Sequence, residues 1–172
     1  MGTGHQPTPM VLAGKALADI TRFIKGDRYR SRLISKIMFG AYNKRIKNVR
    51  TSNDWLTRDE TVVDEYNAGK LTTFLFTVNG YRGLMNMILY VRKPRNIAKI
   101  PKNLPMLMVS GLDDPVGEYG KGVYRAYNTY HGHIDDIDLR LFEDCRHELC
   151  NELNKEEIYE EIYGWIVDHM NK

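Results

Sequence analysis

Two cysteines, Cys145 and Cys150, are all that 172 residues contain. That is too few for a disulfide framework, and a reducing cytosol is the default location for such a chain. No apolar run approaches the roughly 18 residues that a membrane-spanning helix needs. The start, Met1-Gly-Thr-Gly-His5, has neither the basic residues nor the apolar stretch of a secretory signal. Neither an internal repeat nor a low-complexity tract appears, and 42% hydrophobic with 27% charged residues is the profile of one globular domain.

Acid is missing from one stretch. Between Arg28 and Arg50 lie Arg28, Arg30, Arg32, Lys36, Lys44, Arg45, Lys47 and Arg50 with no Asp or Glu, although the net charge is only +3. From Asp135 onward acids outnumber bases. Nucleic acid is not the expected partner, because aromatics do not interleave with these bases as a stacking platform requires. A solvated helix face is the plain reading, and contact with an anionic membrane surface is the sharper one.

The first 93 residues read as almost wholly helical. Thr8 as N-cap and Pro9 at the first helical position open a helix carrying Met10, Ala13, Leu17, Ile20 and Ile24, with Gly26 as its C-cap. Leu33, Ile34, Ile37, Met38, Ala41, Tyr42 and Ile46 share the inward face of an amphipathic segment broken at Gly40. Thr57-Arg-Asp-Glu60 has the form of a capping box, predicting a helix to Gly69. Another helix is predicted over about 80–91, with Pro94 beyond its end.

The pattern then changes. Met106-Leu-Met-Val109 is a short apolar run suited to a strand covered on both faces. Val123, Ala126, Tyr127 and Tyr130 follow at helical spacing, Leu139, Leu141 and Phe142 mark a second strand, and Asn154-x-x-Glu157 caps a closing helix. Ile158, Ile162, Trp165, Ile166 and Met170 are placed inward on it. Strand, helix, strand, helix is the α/β pattern. Two strands alone do not make a viable parallel sheet, since both faces and both edges need cover.

Chemistry in such sheets gathers past the C-terminal strand ends. Two places qualify: Ser110-Gly-Leu-Asp-Asp-Pro-Val-Gly117 and Glu143-Asp-Cys-Arg-His-Glu148. A carboxylate from the first loop can hold an imidazole from the second in one tautomer and stabilise its protonated form. On spacing alone Asp113 and Asp114 both qualify, turn acids before a proline fit equally well, and a structural role for His147 stays open. Cys145, His147 and Cys150 as zinc ligands lack a fourth partner. Cys145 as a nucleophile stands too close to His147 in sequence to face it.

Asn103-Leu-Pro-Met-Leu-Met-Val-Ser-Gly-Leu-Asp-Asp-Pro-Val-Gly117 resembles the acid-bearing strand and loop of α/β-hydrolases of the lysophospholipase and monoacylglycerol-lipase type, the serine aminopeptidase-like branch. Cys145-Arg-His-Glu-Leu149 is similar to that family's histidine loop, and Asp54-Trp-Leu-Thr-Arg-Asp59 to part of its helical lid. The order acid then histidine agrees with the hydrolase order. The resemblance implies the C-terminal part of an α/β-hydrolase fold, parallel strands with flanking helices, plus a helical lid. It divides the chain into 1–14 after a core strand, a lid over 15–93, and 94–172 carrying the acid and histidine loops.

Carried over residue by residue, Asp114 is the implied catalytic acid, with Asp113 as runner-up, and His147 the implied general base. The implied substrate is an acyl-ester lipid, a monoacylglycerol or lysophospholipid, and no metal or organic cofactor is implied. One departure is large. The only serines are Ser31, Ser35, Ser52 and Ser110, and none stands in Gly-x-Ser-x-Gly. The expectation is therefore a fragment of a hydrolase, one half of a split enzyme completed by an N-terminal half, or a non-catalytic binding protein.

Overall fold

The computed structural model describes Gly2 and residues 4–170 of the chain. Its first helix, α1 (Thr8–Lys25), differs from expectation at its start: Pro7 takes the cap position and Thr8 joins the first turn. Two prolines frame this start, because their fixed φ and missing N–H suit a first turn that has no use for the donor. Gly26 ends α1 at φ 87°, a conformation that glycine reaches without strain.

Helix α2 (Arg32–Phe39) begins where Ser31 Oγ accepts the Ile34 N–H at 3.2 Å, and it stops at Gly40 as the pattern predicts. A single 3₁₀ turn, Tyr42–Arg45, follows. Helix α3 (Glu60–Ala68) is capped by Asp59 rather than Thr57. Thr57 sits two residues before that cap: its hydroxyl accepts the Asp59 N–H at 3.1 Å and donates to the Asn151 carbonyl at 2.7 Å. Helix α4 (Val78–Val91) starts two residues early because Thr77 Oγ accepts the Gly80 N–H. Pro94 opens a short helix, α5 (Pro94–Ile97).

The near-continuous helix expected up to residue 93 is interrupted at 46–59 and 69–77. In the first gap the Asp54 carboxylate collects the N–H groups of Arg50 and Thr51 and the Thr51 hydroxyl. In the second, Thr72 donates to the carbonyls of Tyr66 and Gly69. Such local side-chain bonds offer the backbone an alternative to helix. The helices meet around Ala18, Ile34, Val78 and Tyr81, and Arg82 of α4 binds Asp19 of α1.

Strands β1 (Met106–Gly111) and β2 (Ile137–Phe142) pair in parallel, with Met106 opposite Ile137 and Gly111 opposite Phe142. Helix α6 (Lys121–His131) makes the crossover and α7 (Lys155–Met170) closes the described chain. Met108, Ala126, Ile134 and Ile137 fill one side of the sheet, and Val109, Cys145, Leu149 and Ile158 the other. The fold is α/β, as the alternation predicts. Several residues expected inward lie exposed, notably Leu33, Ile37, Ile166 and Met170. Their helices use a narrower apolar stripe, centred on Ile34 and Ile158, than periodicity alone suggests. No described helix is long and apolar enough to cross a membrane.

Candidate active site

The two strands end in register, so their loops leave the sheet side by side. Gly111 is required there: any side chain on it would overlap the carbonyls of Cys145 and Arg146. Two backbone bonds stitch the loops together, Leu112 N–H to Phe142 and Asp113 N–H to Cys145, both 2.9 Å. The acid that turns inward is Asp114, while Asp113 stays exposed.

Asp114 is fully buried and its oxygens are satisfied in distinct directions. Oδ1 accepts the Val116 N–H at 2.7 Å, and Oδ2 meets His147 Nδ1 at 3.0 Å. The Ser110 hydroxyl donates more weakly to Oδ2 at 3.4 Å. A buried carboxylate is acceptor-only, so it assigns the proton to Nδ1 and the lone pair to Nε2. Among the described residues none hydrogen-bonds Nε2. The structure thus brings together the two residues that the family resemblance singled out.

Aromatic rings from the helical half lie over this pair. Trp55 sits 5.2 Å from the His147 ring at 45°, Tyr42 stands edge-on to Trp55 at 4.9 Å, and Phe39 edge-on to Tyr42. Burial, and then the negative charge of Asp114, push the Tyr42 phenol up to about 12. Gly2 also packs on the imidazole, where a β-carbon would come within 2.7 Å of Cε1. From Trp55 an open groove of about 780 Å³ runs between Phe39, Leu71, Phe74, Phe76 and Tyr81.

A buried ion pair fastens the His147 loop to residues 54–58. Glu152, with its side chain fully buried, accepts the Arg146 N–H at 2.7 Å and the Arg58 guanidinium at 2.8 Å. Arg146 in turn donates to the carbonyls of Asp54 and Thr57, and Glu148 N–H to that of Leu56. Sequence reasoning missed Trp55, Arg58 and Glu152 as parts of the site. Glu152 is one acid among many in an acidic stretch, and only its burial distinguishes it.

The zinc arrangement considered for Cys145, His147 and Cys150 is not formed. The Cys145 thiol donates to Asn154 at 3.4 Å, while His147 is committed to Asp114. Burial, and next the charge of Glu152, push the Cys145 thiol up, which suits a core residue and not a nucleophile. Both thiols are free.

No curated protein sequence matches this chain. Solved structures do, by shape. A highly thermostable carboxyl esterase from Bacillus coagulans superposes with a TM-score of 0.82 at 21% identity, covering 99% of this chain and 54% of the esterase. A lipase in its open form gives 0.81 at 22% identity, over 98% of this chain and 55% of the lipase. A monoacylglycerol lipase from Paleococcus ferrophilus gives 0.63 at 18% identity, over 97% and 55%. At these identities the likeness is one of fold, and this chain spans about half the length of each. The family model for serine aminopeptidase, S33, matches residues 5–154. On that match and that shared fold, the chain belongs to the serine aminopeptidase (S33) family of α/β-hydrolases.

Proposed function

We propose that this chain supplies the acid and base of a Ser-His-Asp triad for hydrolysis of carboxylic esters. The observation that carries the reading is the 3.0 Å bond from buried Asp114 to His147 Nδ1, which leaves Nε2 to face a nucleophile. His147 would take the proton of a serine hydroxyl as its oxygen attacks the ester carbonyl. It would then deliver that proton to the departing alcohol, and water would release the acid by the same route. No Gly-x-Ser-x-Gly stands in this sequence, and the oxyanion donors of such a site accompany its serine. Serine and donors belong on this reading to a preceding segment, so that the chain is the C-terminal half of the fold, with residues 15–93 as its lid.

The substrate we infer is a monoacylglycerol or lysophospholipid. The groove beyond Trp55 has the volume and the aromatic lining suited to an acyl chain. The exposed apolar and basic residues of α1 and α2 support peripheral contact with an anionic lipid surface. Two free thiols fit a cytoplasmic setting.

The test is complementation. The chain is co-expressed with, or fused to, a family segment bearing Gly-x-Ser-x-Gly, and hydrolysis of monoacylglycerol is measured beside an amide substrate. Ester hydrolysis in the complemented protein alone is expected. A folded, associated complex without esterase activity would instead favour the non-catalytic partner reading.

A further inference from the structure

At the opposite end of the strands from Asp114 and His147, a second imidazole meets two carboxylates. Asp136 precedes β2, Asp138 lies within it, and His169 stands in the last turn of α7. One side-chain atom from each falls within 4.8 Å of the others. We propose that Asp136, Asp138 and His169, with solvent as the fourth ligand, bind a divalent transition-metal ion of the zinc type, which fastens the end of α7 to the start of β2.

The orientation of His169 carries the proposal. Its Nδ1 lies 2.6 Å from the Trp165 carbonyl, an acceptor, so Nδ1 holds a proton and Nε2 is the nitrogen left to coordinate. That Nε2 is 3.3 Å from Asp136 Oδ2. An imidazole nitrogen and a carboxylate oxygen at this distance can share one cation. Ligands about 2.0–2.1 Å from one tetrahedral zinc ion are separated by about 3.3 Å, the spacing of His169 Nε2 and Asp136 Oδ2, and Asp138 falls within 4.8 Å of both.

The surroundings are those of a metal site. An imidazole ligand commonly gives its other N–H to a backbone carbonyl, as His169 does. Trp165 Nε1 donates to Asp138 Oδ2 at 2.7 Å, while its ring stacks on His169 with centroids 3.9 Å apart. One tryptophan thus orients two of the three ligands. Arg140 approaches Asp138 Oδ1 at 3.7 Å but is closer to Glu161, at 2.9 Å. One imidazole with two carboxylates suits zinc and its first-row neighbours better than magnesium or calcium, which prefer oxygen alone.

The experiment titrates the full metal-free chain with Zn²⁺ by calorimetry and repeats it with Co²⁺, whose visible bands report coordination. One equivalent of tight binding is expected, with a melting midpoint raised by several degrees. His169→Ala and Asp136→Asn should abolish it, and His147→Ala should leave the stoichiometry unchanged. Trp165→Phe keeps the stacked ring but loses the donor, and should weaken binding by about 10–100-fold. Nitrogen-15 spectra of the unsubstituted chain guard against a misfolded variant, since Zn²⁺ must shift the His169 Nε2 resonance. No binding, binding that survives His169→Ala, or a His169 ring protonated on both nitrogens and unmoved by Zn²⁺ would overturn the proposal in favour of an ordinary ion pair.

Discussion

Replacing Glu152 by alanine should loosen the His147 loop more than any change at a surface acid. The carboxylate is wholly buried and holds three donors: the Arg146 N–H, the Arg58 guanidinium and, at 3.3 Å, the Arg58 N–H. Removing one partner of a buried pair costs about 3–5 kcal/mol. The Arg58 side chain keeps 27% of its surface in water and recovers part of its solvation, which places the loss near the lower end, about 3 kcal/mol. Glu152→Gln keeps the volume and an acceptor oxygen but loses the charge, for about 1.5–3 kcal/mol. In a chain of this size 3 kcal/mol is roughly 6–12 °C in melting midpoint. Urea unfolding followed by tryptophan fluorescence measures it, with Trp55 beside the loop as reporter. Adding Arg58→Met to Glu152→Ala should restore part of the loss but not all, because the Arg146 N–H stays orphaned. A Glu152→Ala loss below about 1 kcal/mol, the scale of an exposed pair, would refute the clasp.

Three further outcomes follow from the same geometry. Gly111→Ala should cost about 4 kcal/mol or more, or abolish soluble folding, because the new carbon meets the Cys145 and Arg146 carbonyls; denaturant midpoints close to those of the parent would contradict it. Tyr42, raised from 10 to about 12 in the folded chain, stays neutral while an unfolded phenol ionises. Its contribution is whole below pH 10 and declines by roughly 2–3 kcal/mol as pH rises toward 12. Ultraviolet titration should show a late phenol that is absent in Tyr42→Phe and titrates earlier in Asp114→Asn. Phe23, 93% exposed, and Ile24 lie beside the basic stretch; sedimentation with phosphatidylserine vesicles should fall at least about tenfold in Phe23→Ser/Ile24→Ser, and unchanged binding would exclude this face.

What the sequence made legible was set by how local each signal is. Both strands and the helices flanking them follow from short apolar runs and 3.6-residue spacing, and Gly26 and Gly40 end their helices where the chain says they should. The Thr57 capping box is displaced by two residues: Asp59 caps the helix, while Thr57 accepts the Asp59 N–H and donates to Asn151, 94 residues on. Likewise Asp54 folds 50–54 into turns that no periodicity announces. Asp113 and Asp114 are indistinguishable by spacing. The close crossing at Gly111, which binds Asp113 by its backbone and turns Asp114 inward, separates them only in three dimensions. Family resemblance reached Asp114 by another route. Neither route pointed to Glu152, whose role depends on burial.

The most direct measurement is the rate of ester hydrolysis by the serine-complemented protein carrying either Asp114→Asn or Asp113→Asn. The account predicts a loss of about 10⁴ in kcat for Asp114→Asn, because the amide favours the wrong His147 tautomer. It predicts little change for Asp113→Asn, whose side chain is exposed and whose backbone bond to Cys145 survives. Equal activity in the two variants, or a larger loss at Asp113, would contradict it.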